Sequence, residues 1–391
     1  MPAPPLRVGL NLLHVVEEAG GAGTYARELI GALLEEEPSI QITAIVPRNA
    51  APWISSSGWS ADIETVRLPV ASGRERALDL PLNLAAQWAA VPALAASRRL
   101  QVVHGLAHVS PPICPRAATV VTVLDLIWMR FPRTMTRRAT LAMRAVTAVS
   151  VRRADRIVTI SRAVRDDLVT TLRADGDKLD VTPLGVRVPA RAASSAEDAL
   201  RARLGVGDRP VVICVAQKRE HKNLLGLVRA LARVADPQLM LVLPGRPTPH
   251  EAQLRTEARR LGVSERLVLP AWLSDQELED LYTLARCLVL PSFDEGFGLP
   301  VLDAMARGVP VACSDIPTLR EVAGGCSLLF DPHDVGAIAR AIDRLVGDEG
   351  TAEELSRLGY ERAASFSWSD TARTTLAAYR RAIADHAMGG G

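Results

Sequence analysis

Two carboxylates frame a stretch of bare backbone in DEGFGLPVLDAMARG (294–308): Glu295 precedes two glycines, a phenylalanine and a proline, and Asp303 follows eight residues later. Pro300 suits the opening of a helix, which leaves Glu295 in the preceding loop and Asp303 in the first turn. Ionised carboxylates only accept hydrogen bonds, and sugar hydroxyls donate them. Between the two acids, the amides of Phe297 and Gly298 can face an anion. Sugar, diphosphate and ribose follow one another in that order in a nucleotide sugar. Upstream, QKREHKNLL (217–225) gathers Lys218, Arg219, His221 and Lys222 within five positions at an expected helix start. Cations there oppose the helix dipole. The cluster makes chemical sense if a multiply charged anion fills the spot.

Other motifs carry less. Gly21 to Ala26 reads GxGxxA, but it lies well past the first strand, and the next strand ends IVPRN without an acid for a ribose. A nicotinamide site is therefore disfavoured. What survives is a set of glycines, Gly20, Gly21 and Gly23, opening a helix whose free N–H groups can meet an anion. Asp175-Gly176-Asp177 has the DxD form of a metal-binding motif, yet it sits between a helix and a strand and reads as a turn. The seven histidines are dispersed, the five cysteines are scattered without CxxC spacing, and no metal site is expected. Free cysteines fit a reduced, cytoplasmic setting. No apolar run is long enough to span a membrane, the N-terminus lacks the form of a signal peptide, and MGGG at the end is set aside as a tail. A net charge of +2 gives no ground for nucleic-acid binding.

The elements that must position these residues alternate along the chain. Strands are expected at 7–13, 41–47, 100–106, 118–126 and 156–161, with helices at 24–37 and 162–173. A Pro-, Ala- and Ser-rich stretch follows. A second series begins at 210–217 and continues through strands at 239–245, 266–272, 286–292 and 309–314, separated by helices at 223–234, 250–261, 274–285 and 300–307. A last helix covers about 368–386. With 391 residues and 48% apolar composition, the chain is expected to hold two doubly wound parallel α/β domains. The boundaries are 1–185 for the first domain, 186–208 for a linker, 209–367 for the second, and 368–391 for a helix returning to the first. Ligands of such sheets sit at the carboxyl ends of the strands, so the cleft between the domains is the expected site.

GGAGTYARELIGAL, RADRIVTISRAVRDDL, VTPLGV, HKNL, AWLSDQELEDLY, PSFDEGFGLPVLDAMARGVPVACSDIPTLREVAGG and FSWSDTARTTLAAYR occur in this order. Together they resemble a retaining glycosyltransferase of family 4, group 1, with the GT-B fold of two Rossmann-like domains, closest in look to bacterial surface-polysaccharide mannosyltransferases. By this resemblance Glu295 contacts the donor sugar and Asp303 the ribose. The amides of Phe297, Gly298 and Leu299 meet sugar and phosphate. Arg219 and Lys222 hold the diphosphate under the Gly20, Gly21, Gly23 loop, and the backbone near Leu273 reads the base. Two departures stand out. Asp303 replaces the usual Glu, and Leu124 replaces the histidine that normally precedes Asp125, leaving Asp125 as the acid of that motif.

The resemblance implies metal-free transfer of a hexose, with GDP-mannose the favoured donor and a glycan or lipid-linked glycan the acceptor. Glycosylation of a small-molecule natural product from a UDP-sugar is the alternative. A reading of another class, a catalytically silent subunit binding a nucleotide or a partner glycosyltransferase, rests on Leu124 and Asp303. Residues 129–153 carry seven arginines among apolar residues. They suggest a basic amphipathic helix able to lie on an anionic membrane, against a plain packing role.

Overall fold

Valine, isoleucine and leucine crowd the strands because helices cover both faces of each sheet, the condition under which parallel strands read as continuous apolar runs. In the computed structural model all residues are described except 1–3, 16–19, 51–53, 55–56, 71–79, 133–135, 188–194, 272 and 390–391. The chain forms two units: Met1–Gly185 with Ser367–Gly391, and Val186–Phe366. Of the 186–208 stretch, residues 188–194 lie outside the described residues, and Ser195–Leu204 is a helix.

Seven parallel strands build the first unit: β1 (Arg7–Asn11), β2 (Gln41–Pro47), β3 (Glu64–Leu68), β4 (Val102–Gly105), β5 (Ala118–Val123), β6 (Arg156–Thr159) and β7 (Leu179–Val181). Their spatial order is β3-β2-β1-β4-β5-β6-β7. The order reverses between β1 and β4, where Asn11 stands level with Gly105. All six residues of β5 are buried. The helix Gly21–Glu36 starts a turn earlier than its apolar pattern suggests, at the glycines themselves. The C-terminal helix Trp368–Gly389 packs on that helix and on β5, burying Ala372, Leu376, Tyr379 and Ala382. A buried polar chain fastens it. Tyr379 Oη lies 2.8 Å from His104 Nδ1, His104 Nε2 lies 2.7 Å from Thr122 Oγ1, and Thr122 Oγ1 lies 2.9 Å from Tyr25 Oη. Burial pushes the His104 imidazole down to about 3, so it sits there neutral.

Six parallel strands build the second unit: β8 (Val211–Ile213), β9 (Met240–Val242), β10 (Leu267–Val268), β11 (Ala285–Leu290), β12 (Val311–Ser314) and β13 (Leu328–Phe330), in the order β10-β9-β8-β11-β12-β13. Here the order reverses between β8 and β11, whose pairing runs to Ile213 opposite Leu288. Crevices at such reversals are where open α/β sheets take ligands. The loops leaving β8 and β11 are those that carry Lys222 and Glu295. The Asp175–Asp177 segment, expected as a turn, opens a one-turn 3-10 helix, Gly176–Lys178, that Asp175 caps: its Oδ1 accepts from the Asp177 amide at 3.1 Å. Among the described residues no helix is long and apolar enough to cross a membrane.

Candidate functional site

At the reversal of the second sheet, chain direction brings the β8 and β11 loops side by side. The Phe293 amide donates to the His221 carbonyl at 2.8 Å, which ties them. Within this junction Lys222 and Glu295 face each other: Lys222 Nζ lies 2.7 Å from Glu295 Oε1. Ser292 Oγ donates to the same oxygen at 2.7 Å, and Thr318 Oγ1 donates to the Glu295 carbonyl at 2.8 Å. The Glu295 side chain is 7% exposed and that of Lys222 15%. Behind them Cys214 is buried, and burial pushes its thiol up to about 12, so it is no nucleophile.

The basic cluster divides in a way that its spacing did not anticipate. Lys218 is completely buried and turned away: its Nζ lies 3.0 Å from Glu251 Oε2 and 2.5 Å from the Gly245 carbonyl. It is a strut between the β8 and β9 loops. His221 is buried as well, and burial, with Lys222 and Arg219 beside it, drives its imidazole down to about 3. Only Arg219 and Lys222 remain as cations for an anion. Arg219 is exposed and, among the described residues, forms no ion pair. The loop ends in a single turn, Glu220–Lys222, and Asn223 breaks it from the helix Leu224–Leu231 with φ +51°, its side-chain Nδ2 donating to the Pro332 carbonyl at 2.7 Å.

Past Glu295 the chain enters the helix Leu299–Ala306 through Gly298, at φ +100°. That conformation excludes ordinary side chains, and a Cβ there would meet Leu319 Cδ2 at 2.5 Å. Phe297 turns inward and stacks edge-on against Phe366, with ring centroids 5.9 Å apart. Its amide and those of Gly298 and Leu299 donate no hydrogen bond among the described residues. Three such donors at a helix entrance make an anion seat. Asp303 is the fifth residue of this helix, one position further in than its pattern suggests, and its Oδ1 lies 3.5 Å from Arg307 Nη1. Arg307 grips Glu279 through two bonds of 2.6 and 2.5 Å and lies over the Tyr282 ring at 4.8 Å. Leu273 is buried immediately before the capping box that Ser274 and Glu277 form, while its neighbour at 272 lies outside the described residues.

Gly20, Gly21, Gly23 and Asp125 belong to the first unit. Gly20 caps the helix Gly21–Glu36 without a side-chain bond, a Cβ on Gly21 would meet nothing within 4 Å, and Gly23 is buried. The amides of Gly21, Ala22 and Gly23 donate to no described residue. Asp125 Oδ1 accepts from the Ile127 amide at 3.0 Å and so starts the short helix Ile127–Arg130, and Leu124 is buried. Among the described residues no group of three or more His, Cys, Asp or Glu could hold a metal ion.

Sequence reasoning passed over Ser292 and Thr318. Ser292 had a signal, a hydroxyl three residues before the acid it serves. Thr318 had none, since it reaches Glu295 across 23 positions.

Residues 20–185 match the family model described as a glycosyl transferase 4-like domain, and residues 196–362 match the model for glycosyl transferases group 1. The chain is 28% identical to an MMP alpha-(1->4)-mannosyltransferase of Mycolicibacterium hassiacum over 97% of this chain and 99% of that protein. It is 34% identical to a D-inositol 3-phosphate glycosyltransferase of Mycolicibacterium smegmatis over 60% of this chain and 54% of that protein. Among solved structures, Anabaena Alr3699/HepE in complex with UDP and glucose superposes with a TM-score of 0.78 at 17% identity, over 95% of this chain and 98% of that one.

Proposed function

We infer the reaction from the family, for the chain belongs to the family 4, group 1 glycosyl transferases and is a glycosyltransferase of GT-B fold. Our reading is that it moves a hexose, with retention and without a metal, from a nucleoside diphosphate sugar to a hydroxyl of a glycan or lipid-linked glycan. The observation that carries this reading is the meeting of Lys222 and Glu295 at the second sheet's reversal, beside three amides that donate to no described residue. Arg219, Lys222 and those amides take the charge that grows on the diphosphate as the bond from the sugar C1 to the phosphate oxygen breaks. Glu295 holds hexose hydroxyls and faces the positive charge that develops on the ring. Asp303 takes the ribose hydroxyls. The acceptor oxygen bonds to C1 on the face the phosphate leaves, and its proton passes to the departing phosphate.

GDP-mannose is the favoured donor, because a relative matched along nearly its whole length is a mannosyltransferase. UDP, which the Anabaena protein holds, is the alternative nucleotide. For the acceptor side we propose a cytoplasmic protein that touches the membrane through the helix Arg137–Arg153. That helix contains no acid and turns Arg137, Arg138, Leu141, Arg144 and Val149 outward, with Leu141 67% exposed. Arginines flanking an exposed leucine suit an anionic lipid surface. Residues 133–135 of the segment expected to make this contact lie outside the described residues.

Calorimetry with GDP and UDP in EDTA tests the donor side, and NMR of the anomeric product from GDP-mannose or UDP-glucose with methyl α-mannoside tests the reaction. Nucleotide binding that disappears in EDTA, or a product of inverted configuration, contradicts this reading.

A further inference from the structure

Glu295 is held unevenly. Both donors that reach its carboxylate, Lys222 Nζ at 2.7 Å and Ser292 Oγ at 2.7 Å, fall on Oε1. Oε2 accepts nothing from the described residues. The Thr318 hydroxyl fixes the Glu295 carbonyl at 2.8 Å, so the backbone is anchored separately from the side chain. The two donors on Oε1 differ in kind. Lys222 is a compact charge on a flexible stem, partly exposed, and it can swing to a neighbouring anion. Ser292 is completely buried, and it lies two residues beyond the carboxyl end of β11, an interior strand of the sheet. A hydroxyl has one proton to give, and here Glu295 Oε1 receives it.

The terminal torsion of a glutamate is soft, because a bond between sp³ and sp² carbons has no sharp staggered wells. A carboxylate held by one movable ammonium therefore turns freely once that ammonium leaves. We propose that Ser292 is the positioning residue of the donor-sugar acid: when Lys222 is drawn from Glu295 to the diphosphate, the Ser292 hydroxyl keeps Oε1 and leaves Oε2 facing the hexose. This rests on the reading of Glu295 and Lys222 given above. Lys222 is the exchangeable partner and Ser292 the permanent one. The pairing also stops Glu295 from meeting an incoming diphosphate as an uncompensated negative charge.

The test uses the full chain and measures nucleoside diphosphate release from GDP-mannose or UDP-glucose, whichever the wild type turns over. Ser292→Ala should lower kcat about tenfold, the effect of one hydrogen bond to a charged group. Donor KM and nucleoside diphosphate affinity should stay within about twofold. Ser292→Thr, which keeps the hydroxyl, should restore kcat to within about threefold of wild type. In a Glu295→Ala background, which leaves nothing to position, Ser292→Ala should cost less than about twofold more. A full tenfold loss in that background, or a kcat unchanged by Ser292→Ala, overturns the assignment. So does a Ser292→Ala variant whose KM and kcat change together while its thermal unfolding drops, which marks a merely structural serine. Glu295→Ala at wild-type rate instead sinks the reading of the site itself, whereas Glu295→Ala slow and Ser292→Ala normal sinks only the role of Ser292.

Discussion

Removing the Lys222 ammonium should do two separable things, and a second substitution should separate them. The ammonium neutralises Glu295, which is only 7% exposed. Breaking a fully buried pair costs about 3–5 kcal/mol, because one charge is left uncompensated. Here Ser292 still donates to Oε1 and Lys222 is partly exposed, so Lys222→Ala should destabilise by about 2 kcal/mol. Adding Glu295→Gln removes the stranded charge, and the double variant should recover at least about half of that loss. Nucleoside diphosphate affinity should behave otherwise. A charge-assisted contact is worth about 1.5–3 kcal/mol, which corresponds to roughly 10- to 150-fold in affinity. Because Lys222 must give up Glu295 to reach the phosphate, the loss should fall near the lower end, about tenfold. Glu295→Gln should not restore it. Urea unfolding reports the first quantity and calorimetry with GDP and UDP in EDTA the second. Equal nucleotide affinity for wild type and Lys222→Ala, or a double variant no more stable than the single one, would refute the reasoning.

Three further outcomes follow from the geometry. Gly298→Ala forces a side chain into φ +100° and against Leu319; it should cost about 1–3 kcal/mol, read as a lower Tm, with weaker nucleotide binding beside it. Neighbouring cations should part company: Lys218→Ala, which strands Glu251, should lower stability by about 2 kcal/mol, whereas exposed Arg219→Ala should leave it within about 0.5 kcal/mol and still weaken nucleoside diphosphate binding about tenfold. His104 should show in acid. Its folded imidazole titrates near 3, below its unfolded value of about 6.5. The unfolded chain therefore binds one more proton between those values, and stability falls as pH drops through that window, by at most about 1.4 kcal/mol per pH unit from this residue. His104→Phe breaks two hydrogen bonds and should be less stable at pH 7, but its deficit should narrow toward pH 4. Parallel urea midpoints across that range would contradict this account.

How far the sequence could be read depended on whether the signal was local. Buried parallel strands announce themselves as apolar runs, so β1, β2, β4, β5 and β6 and, in the second unit, β8 to β12 were legible, whereas the helix Ser195–Leu204 lay in a stretch read as a linker. The strand β3 was not: ETVRL alternates charge and apolar residues and is half exposed at the sheet edge. The strands β7 and β13 close the ends of their sheets and are only partly buried, so neither lies in a continuous apolar run. At the site, Glu295, Arg219 and Lys222 were legible because glycines, proline and charge cluster around them. Lys218 was misread, since spacing gives charge and not direction, and only the fold shows it turned onto Glu251. The bond between His104 and Tyr379 spans 275 positions and left no trace in the sequence.

That bond has a consequence for the order in which the protein is made. The first unit is built from both ends of the chain, with Val186–Phe366 inserted between them. On a ribosome its seven strands emerge before the second unit, and the helix that bears Tyr379 emerges after it. Translation at about 5–20 residues per second puts roughly 10–40 s between the two events. During that interval His104 and Thr122 have no Tyr379 to meet, and the apolar faces that Ala372, Leu376 and Ala382 will cover stay open. The second unit, whose two ends join where the Val186 amide donates to the Phe366 carbonyl at 3.3 Å, has all its residues before then. The unit begun first is therefore completed only after the second, and a nascent chain stalled before residue 368 leaves uncovered the faces that this helix buries on Gly21–Glu36 and β5.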